Sequence, residues 1–301
     1  LKSNNTYFNL LASFAYLGTN PVFTESFFGL HRSGVANVMI DSGAFTAHNA
    51  KQRRDWLNLD SYCDFLGKYG DMSEKYIMLD VIGNQEKTKE NYGEMVRRGL
   101  KPMFVLTMYD KEWSFLRDTM KVNRDCSVSG GTQTKGDWLI KRFQDVMKHT
   151  DNTARIHGLG YVTYPNLFRA PVVSGDSSSW LAQPQRFGAI NAWTKDGLKA
   201  QPYREVFAGK PVAAYLRPLL NQIEVTPAQF LKKENHCGAC SIGTLMSMIS
   251  YLQYQKYAHA HNRRLFLAIG SKLNMDMLVW VKENQRDITY QKFLNEFKND
   301  R

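Results

Sequence analysis

Eight short apolar or β-branched runs, several of them separated by stretches that read as helix, constrain this chain more than any other feature. They are Tyr7–Phe14, Ala36–Asp41, Tyr76–Val81, Pro102–Thr107, Asp125–Ser129, Arg155–Gly158, Pro171–Gly175 and Phe187–Ala192. Helix-compatible segments between them include Asp60–Tyr69, Lys87–Arg98 and Trp138–His149. A parallel strand pair needs a long crossover, commonly a helix, so this alternation points to a parallel α/β sheet. Eight such units predict closure into a (β/α)8 TIM barrel. The length of 301 residues suits one barrel with an appendage, and 43% hydrophobic residues suffice for its core.

The residues that end these runs carry the chemical information. They are Asp41-Ser42-Gly43, Asp80, Thr107, Gly130-Gly131, Gly158-Leu159-Gly160 and Asp176. In such a barrel, polar groups just after a strand gather at its carboxyl-end mouth, where the active sites of this architecture lie. Asp and Gly are also ordinary loop formers. Asp41 and Asp176 invite two readings of equal weight. Two carboxylates from opposite sides of a barrel can converge on one sugar, one attacking the anomeric carbon and the other managing protons. Each also precedes small residues and can cap the next helix.

After about residue 200 the pattern changes, so the division expected is 1–200 for the main part of the barrel and 201–301 for an appendage with terminal helices. Cys237-Gly238-Ala239-Cys240 has the spacing of a turn that aims two thiolates at one ion, with His236 beside it and His259 and His261 downstream. Zinc takes four N or S ligands in a tetrahedron. The preferred set is His236, Cys237, Cys240 and His261, a closed shell around a structural Zn2+. A straight helix from Cys240 to His261 would hold them ~30 Å apart, so this set requires a reversal, placed near Ser250–Gln255. Two buried free thiols and surface histidines are the alternative.

An excess of 39 Lys+Arg over 28 Asp+Glu, net charge +11, attracts polyanions and favours a nucleic-acid partner. Four cysteines in so long a chain do not make a disulfide framework, which fits a reducing cytoplasm. No apolar run approaches the ~20 residues of a membrane span, and the opening segment does not read as a signal peptide. The chain begins at Leu1 rather than Met, which leaves room for residues upstream. A homodimer is left open.

In their order along the chain, these residues resemble the tRNA-guanine transglycosylase superfamily over roughly Val35 to Phe266. Asp41-Ser42-Gly43-Ala44-Phe45 looks like its Asp-Ser-Gly-Gly-Phe motif, whose Asp is the general acid/base and contacts the base. Asp80 resembles the Asp that grips the guanine edge. Gly130-Gly131 resembles the pair whose backbone meets the incoming base, and His157-Gly158-Leu159-Gly160 with Pro165 resembles the Gly-Val-Gly-Thr-Pro segment. Asp176, 18 residues after Gly158, falls near the nucleophilic Asp. Cys237, Cys240 and His261-Asn262 resemble part of the zinc site. The chain departs from the pattern at Ala44, at Asn235 where the first zinc cysteine would fall, at Thr107 in place of a glutamine, and at Ser177-Ser178-Ser179-Trp180 after the nucleophile. It is also shorter than the tRNA enzymes. These departures resemble the phage and bacterial DNA-modifying branch, the DpdA-type transglycosylases.

The resemblance implies exchange of guanine in DNA for a 7-deazaguanine such as preQ0. Asp176 would attack C1′ and Asp41 would move the proton. Ser42, Gly43, Asp80, Thr107, the Gly130-Gly131 backbone, Gly158 and Gly160 would bind substrate, with Phe45, Tyr109 or Trp180 stacking on the base. The same exchange on tRNA, a glycosidase-like barrel acting on nucleosides, and a non-catalytic nucleic-acid binder are the rivals.

Overall fold

The protein is described by a computed structural model covering residues 6–49, 56–107, 113–129 and 136–297. The chain divides into two compact units. One comprises Leu1–Ser177 with Ala258–Gly270, the other Ser178–Tyr257 with Ser271–Arg301.

The first unit is built on an eight-stranded parallel sheet. Its strands are β1 (Asn9–Ser13), β2 (Asn37–Asp41), β3 (Lys75–Tyr76), β4 (Phe104–Thr107), β5 (Asp125–Ser129), β6 (Arg155–Leu159), β7 (Ser174–Ser177) and, after the hairpin strands β8 (Ala189–Thr194) and β9 (Gly197–Pro202), β10 (Arg264–Ile269). Their spatial order is β3-β2-β1-β10-β7-β6-β5-β4. The two end strands are themselves joined. Ile77 forms a parallel bridge with Met103, Met78 N–H donates to the Met103 carbonyl at 3.1 Å, and Met103 N–H donates to the Tyr76 carbonyl at 2.9 Å. Joining the edges leaves this sheet without a free edge strand among the described residues, and the architecture is (β/α)8-like.

Helices fill the crossovers, and asparagines start several of them. Asn20, Asn58 and Asn84 accept backbone N–H bonds at the starts of Pro21–Arg32, Leu59–Tyr69 and Gln85–Arg97, satisfying donors that a helix leaves open. Aromatic side chains pack these helices together; Phe28 and Tyr69, for instance, stack with centroids 5.0 Å apart.

Seven of the eight expected strand positions belong to the ring; the eighth does not. Phe187–Ala192 falls in the antiparallel β8–β9 hairpin of the second unit. The eighth barrel strand is Arg264–Ile269, in a tail read as helical. The barrel therefore does not end near residue 200: residues 178–257 intervene between β7 and β10. Among the described residues no helix is long and apolar enough to cross a membrane.

Candidate active site at the carboxyl ends of the strands

Parallel pairing sets Ser13 level with Asp41, Thr107 level with Ser129 and Leu159, and Phe266 level with Asp176. Side chains alternate across a strand, so Ser174 and Asp176 share one face of β7, and His157 lies beside them in register with Ser174. That face points into the ring: Asp125 on β5 reaches Lys75 on β3 past β4, and Arg155, in register with Asp125, shares its face of β6 with His157.

The charges of two carboxylates, Asp80 and Asp176, act on a third, Asp41. Asp41 is half-buried. Burial, then the charges of Asp80 and Asp176, push its pKa up to about 7, against the pull of hydrogen bonds from Gly43 and Ser13. Burial also pushes Asp80 up to about 6, opposed by a backbone hydrogen bond and by the Ser42 hydroxyl. Desolvation and like charge both disfavour the ionised form.

Local geometry explains the glycines. Gly43 has φ +85°, where a side chain is strained, and a Cβ there would sit 2.6 Å from Ser13 Oγ and 2.8 Å from Ala15 Cβ. The tight turn returns the Gly43 N–H to Asp41 Oδ2 at 3.0 Å. At β6–β7 the chain folds back over the sheet so closely that a Cβ on Gly175 would lie 2.1 Å from the Tyr161 carbonyl oxygen, and one on Gly158 would lie 2.8 Å from Tyr161 Cβ. The fold-back delivers the Gly160 N–H to Asp176 Oδ1 at 2.8 Å. His157 Nε2 meets the same oxygen at 3.2 Å, and its Nδ1 meets Ser174 Oγ at 2.8 Å. Asp176 is thus positioned by a backbone amide and an oriented imidazole.

The capping alternative fails for both aspartates. The helix Ala44–His48 starts at Gly43 with no side-chain cap, and Asp176 lies within β7, ahead of a helix whose cap position, Ser178, makes no side-chain cap bond. Ser42 is buried, and Phe45, on the first turn past Gly43, is 64% exposed. Thr107 ends β4 at the mouth, its carbonyl accepting from Arg142 Nη2 at 2.9 Å. Trp180 is fully buried and belongs to the second unit, so it is a core residue and not a stacking platform. Gly130, Gly131 and Tyr109 lie outside the described residues. The sequence does not single out Ser13, Ser174 or the role of His157: each is a polar residue on a strand, but His157 lies inside β6 and Ser174 opens β7, away from the strand ends that carry the signal, and Ser13 ends β1 without a Gly turn after it.

The zinc set does not converge. The helix Ile242–Ala260 is unbroken and spans about 28 Å at 1.5 Å per residue. No reversal occurs at Ser250–Gln255, and Cys240 and His261 flank opposite ends. His236 is buried among Tyr203, Phe207 and Phe230, with Nε2 donating to the Phe230 carbonyl at 2.6 Å. Burial lowers its pKa. Cys237 is exposed with its thiol on the Lys233 carbonyl, and Cys240 is buried against the Phe297 carbonyl. Among the described residues no group of three His, Cys, Asp or Glu is placed to hold a metal. With Cys240 and His261 at opposite ends of an unbroken helix, these four residues do not fit the expected ion.

Of the arginines near the motifs, Arg97 and Arg98 pair with Glu94, and Arg98 also with Asp60. No family model and no curated protein matches the chain.

Proposed function

We propose that this protein is a nucleic-acid guanine transglycosylase that replaces guanine in DNA with a 7-deazaguanine such as preQ0. The observation that carries this reading is the contrast between two facing carboxylates. Asp176 is oriented by Gly160 N–H and His157, whereas Asp41 has its pKa pushed up to about 7. A carboxylate held by fixed donors suits nucleophilic attack, and one whose pKa is raised towards neutrality suits proton transfer.

A base stacked in a duplex is out of reach, so the target nucleotide enters the mouth extruded. The Asp176 carboxylate attacks C1′ and forms a C1′–O bond as C1′–N9 breaks. The electron pair left on guanine is taken up with a proton from Asp41. After guanine leaves, the incoming base gives its N9 proton to Asp41, its N9 attacks C1′, and Asp176 departs as carboxylate. Each bond formed replaces one broken, so the exchange requires no energy source. Asp80, Ser42 and Thr107 line the edge where the base would be read, and exposed Phe45 offers a stacking face. The net charge of +11 serves to attract the polyanion.

The test is incubation of the protein with labelled preQ0 and either DNA or tRNA, followed by nucleoside analysis. Label in DNA is the expected result. Label in tRNA alone would keep the chemistry and move the substrate. Label in neither, with every deazaguanine offered, would refute the reading.

A further inference from the structure

The barrel has a second concavity at the opposite end. A cavity of about 360 Å³ is lined by Lys75, Arg155, Ser174, His259, Arg263 and Arg264, among others. Lys75, Arg155 and Arg264 open β3, β6 and β10. The cavity therefore lies at the amino ends of the strands. Five residues separate Arg155 from Gly160, roughly 16 Å at the rise of a strand.

Ion pairing accounts for only part of this charge. Asp125 is shared by Lys75 Nζ at 2.6 Å and Arg155 Nε at 3.1 Å, and Glu74 meets Arg264; neither carboxylate lines the cavity. Among the described residues, four cationic side chains thus face two carboxylates, a surplus of two positive charges. Arg263 is the residue left over. Its Nη1 donates to the Asn262 carbonyl at 3.2 Å, and its buried Nε has no hydrogen-bond partner among the described residues. A buried donor without an acceptor is costly, more so on a charged group.

We propose that this cavity binds a phosphate group, carried by a small sugar phosphate or by nucleic acid. Phosphate oxygens are acceptors only, they match the fork of a guanidinium, and their charge balances the surplus. The volume lies at the small end of the ~300–1,000 Å³ range of ligand pockets, enough for a phosphate with a sugar attached. The carboxylate mouth repels the same anion, so the two ends take different parts of a substrate or different molecules. Binding here does not depend on base exchange.

Isothermal titration calorimetry of the full chain with ribose 5-phosphate, and with a short single-stranded DNA, tests this on wild type, Arg263→Ala and Arg263→Lys. Among the described residues Arg263 makes no ion pair that Arg263→Ala would remove, and circular dichroism checks that the variant folds. Should it not fold, Arg155→Ala, at a side chain 56% exposed, replaces it. The expected result is saturable binding weakened about tenfold or more by the Ala variant and partly kept by Lys. Binding of ribose 5-phosphate would identify a small carrier, and variant-sensitive binding of DNA alone would identify nucleic acid. Absence of saturable binding for both, or binding that the Ala variant leaves unchanged, would overturn the proposal.

Discussion

At the amino ends of the strands, Asp125 lies between Lys75 and Arg155, and Glu74 meets Arg264. At the carboxyl ends, the charges acting on Asp41 are those of Asp80 and Asp176. Both ends lie inside one ring: Lys75 reaches Asp125 past the intervening β4, as Asp41 and Asp176 interact past β1 and β10. The same residue type is thus neutralised at one end and left in mutual repulsion at the other. Burial of Asp41, with repulsion added to it, makes the mouth a stability cost, and the two together bring Asp41 into the range where a carboxylic acid exchanges protons near neutral pH. His157 stands between the ends, one nitrogen on Asp176 and the other on Ser174, which lines the basic cavity.

The largest effect should come from the mouth. Asp176→Ala removes the nucleophile and should abolish exchange, and Asp176→Asn should fail as well because an amide is a weak nucleophile of similar shape. Wild type starved of incoming base should trap a denaturation-resistant protein–DNA adduct, seen by gel shift and mass spectrometry. An adduct formed by Asp176→Ala would move the nucleophile to Asp41 or Asp80.

The other end should respond in stability rather than in chemistry. Lys75 and Asp125 are only 11% and 14% exposed. Asp125→Ala leaves the ammonium desolvated and should cost about 3 kcal/mol in urea unfolding, within the range for breaking buried pairs. Adding Lys75→Met should recover much of that loss. A single substitution as mild as a surface change would show that water at the cavity already solvates Lys75, and the contrast between the ends would weaken.

How much of this was legible in the sequence follows from what each signal measures. β5 was placed at its observed bounds because Asp125–Ser129 is a short run with breaks on both sides. β10 was not, although Arg264-Leu265-Phe266-Leu267-Ala268-Ile269 before Gly270 is as apolar as any strand; it follows the helix Ile242–Ala260 without a Pro, so helix was extended through it. The unit inserted before β10 then made Phe187–Ala192, a true strand, look like the missing eighth. Asp41, Asp80 and Asp176 were legible because strand ends gather at one mouth whatever the loops do. The zinc set was not, because Cys-x-x-Cys spacing says nothing of where a distant histidine lies, and an unbroken helix decided that. The basic cavity escaped notice because its residues open strands spread from Lys75 to Arg264, and only register brings them together.

The smallest expected effect sharpens the comparison most. Asp41 has a pKa of about 7 in the folded chain against 3.8 for the ordinary group. Between those values the native state holds a proton that the unfolded chain has released, so the stability this proton brings is present below about pH 4 and lost as pH rises through about 7. Asparagine keeps the shape and carries no charge at any pH. Asp41→Asn should therefore gain stability relative to wild type as pH rises from 5 to 8. The whole shift would be worth about 4 kcal/mol, but the residue is only half-buried and solvent screens it, so a gain of about 1 kcal/mol is expected. Urea unfolding of both proteins at pH 5 and pH 8 measures it. The same variant should lose exchange by about 10²–10⁴-fold, as expected for a general acid/base. A protein made more stable and less active by one atom's change fits a group kept for proton transfer at the expense of folding. A stability gap that stays constant with pH would instead mean that Asp41 titrates as an ordinary carboxylate, and the division of roles between it and Asp176 would have to be abandoned.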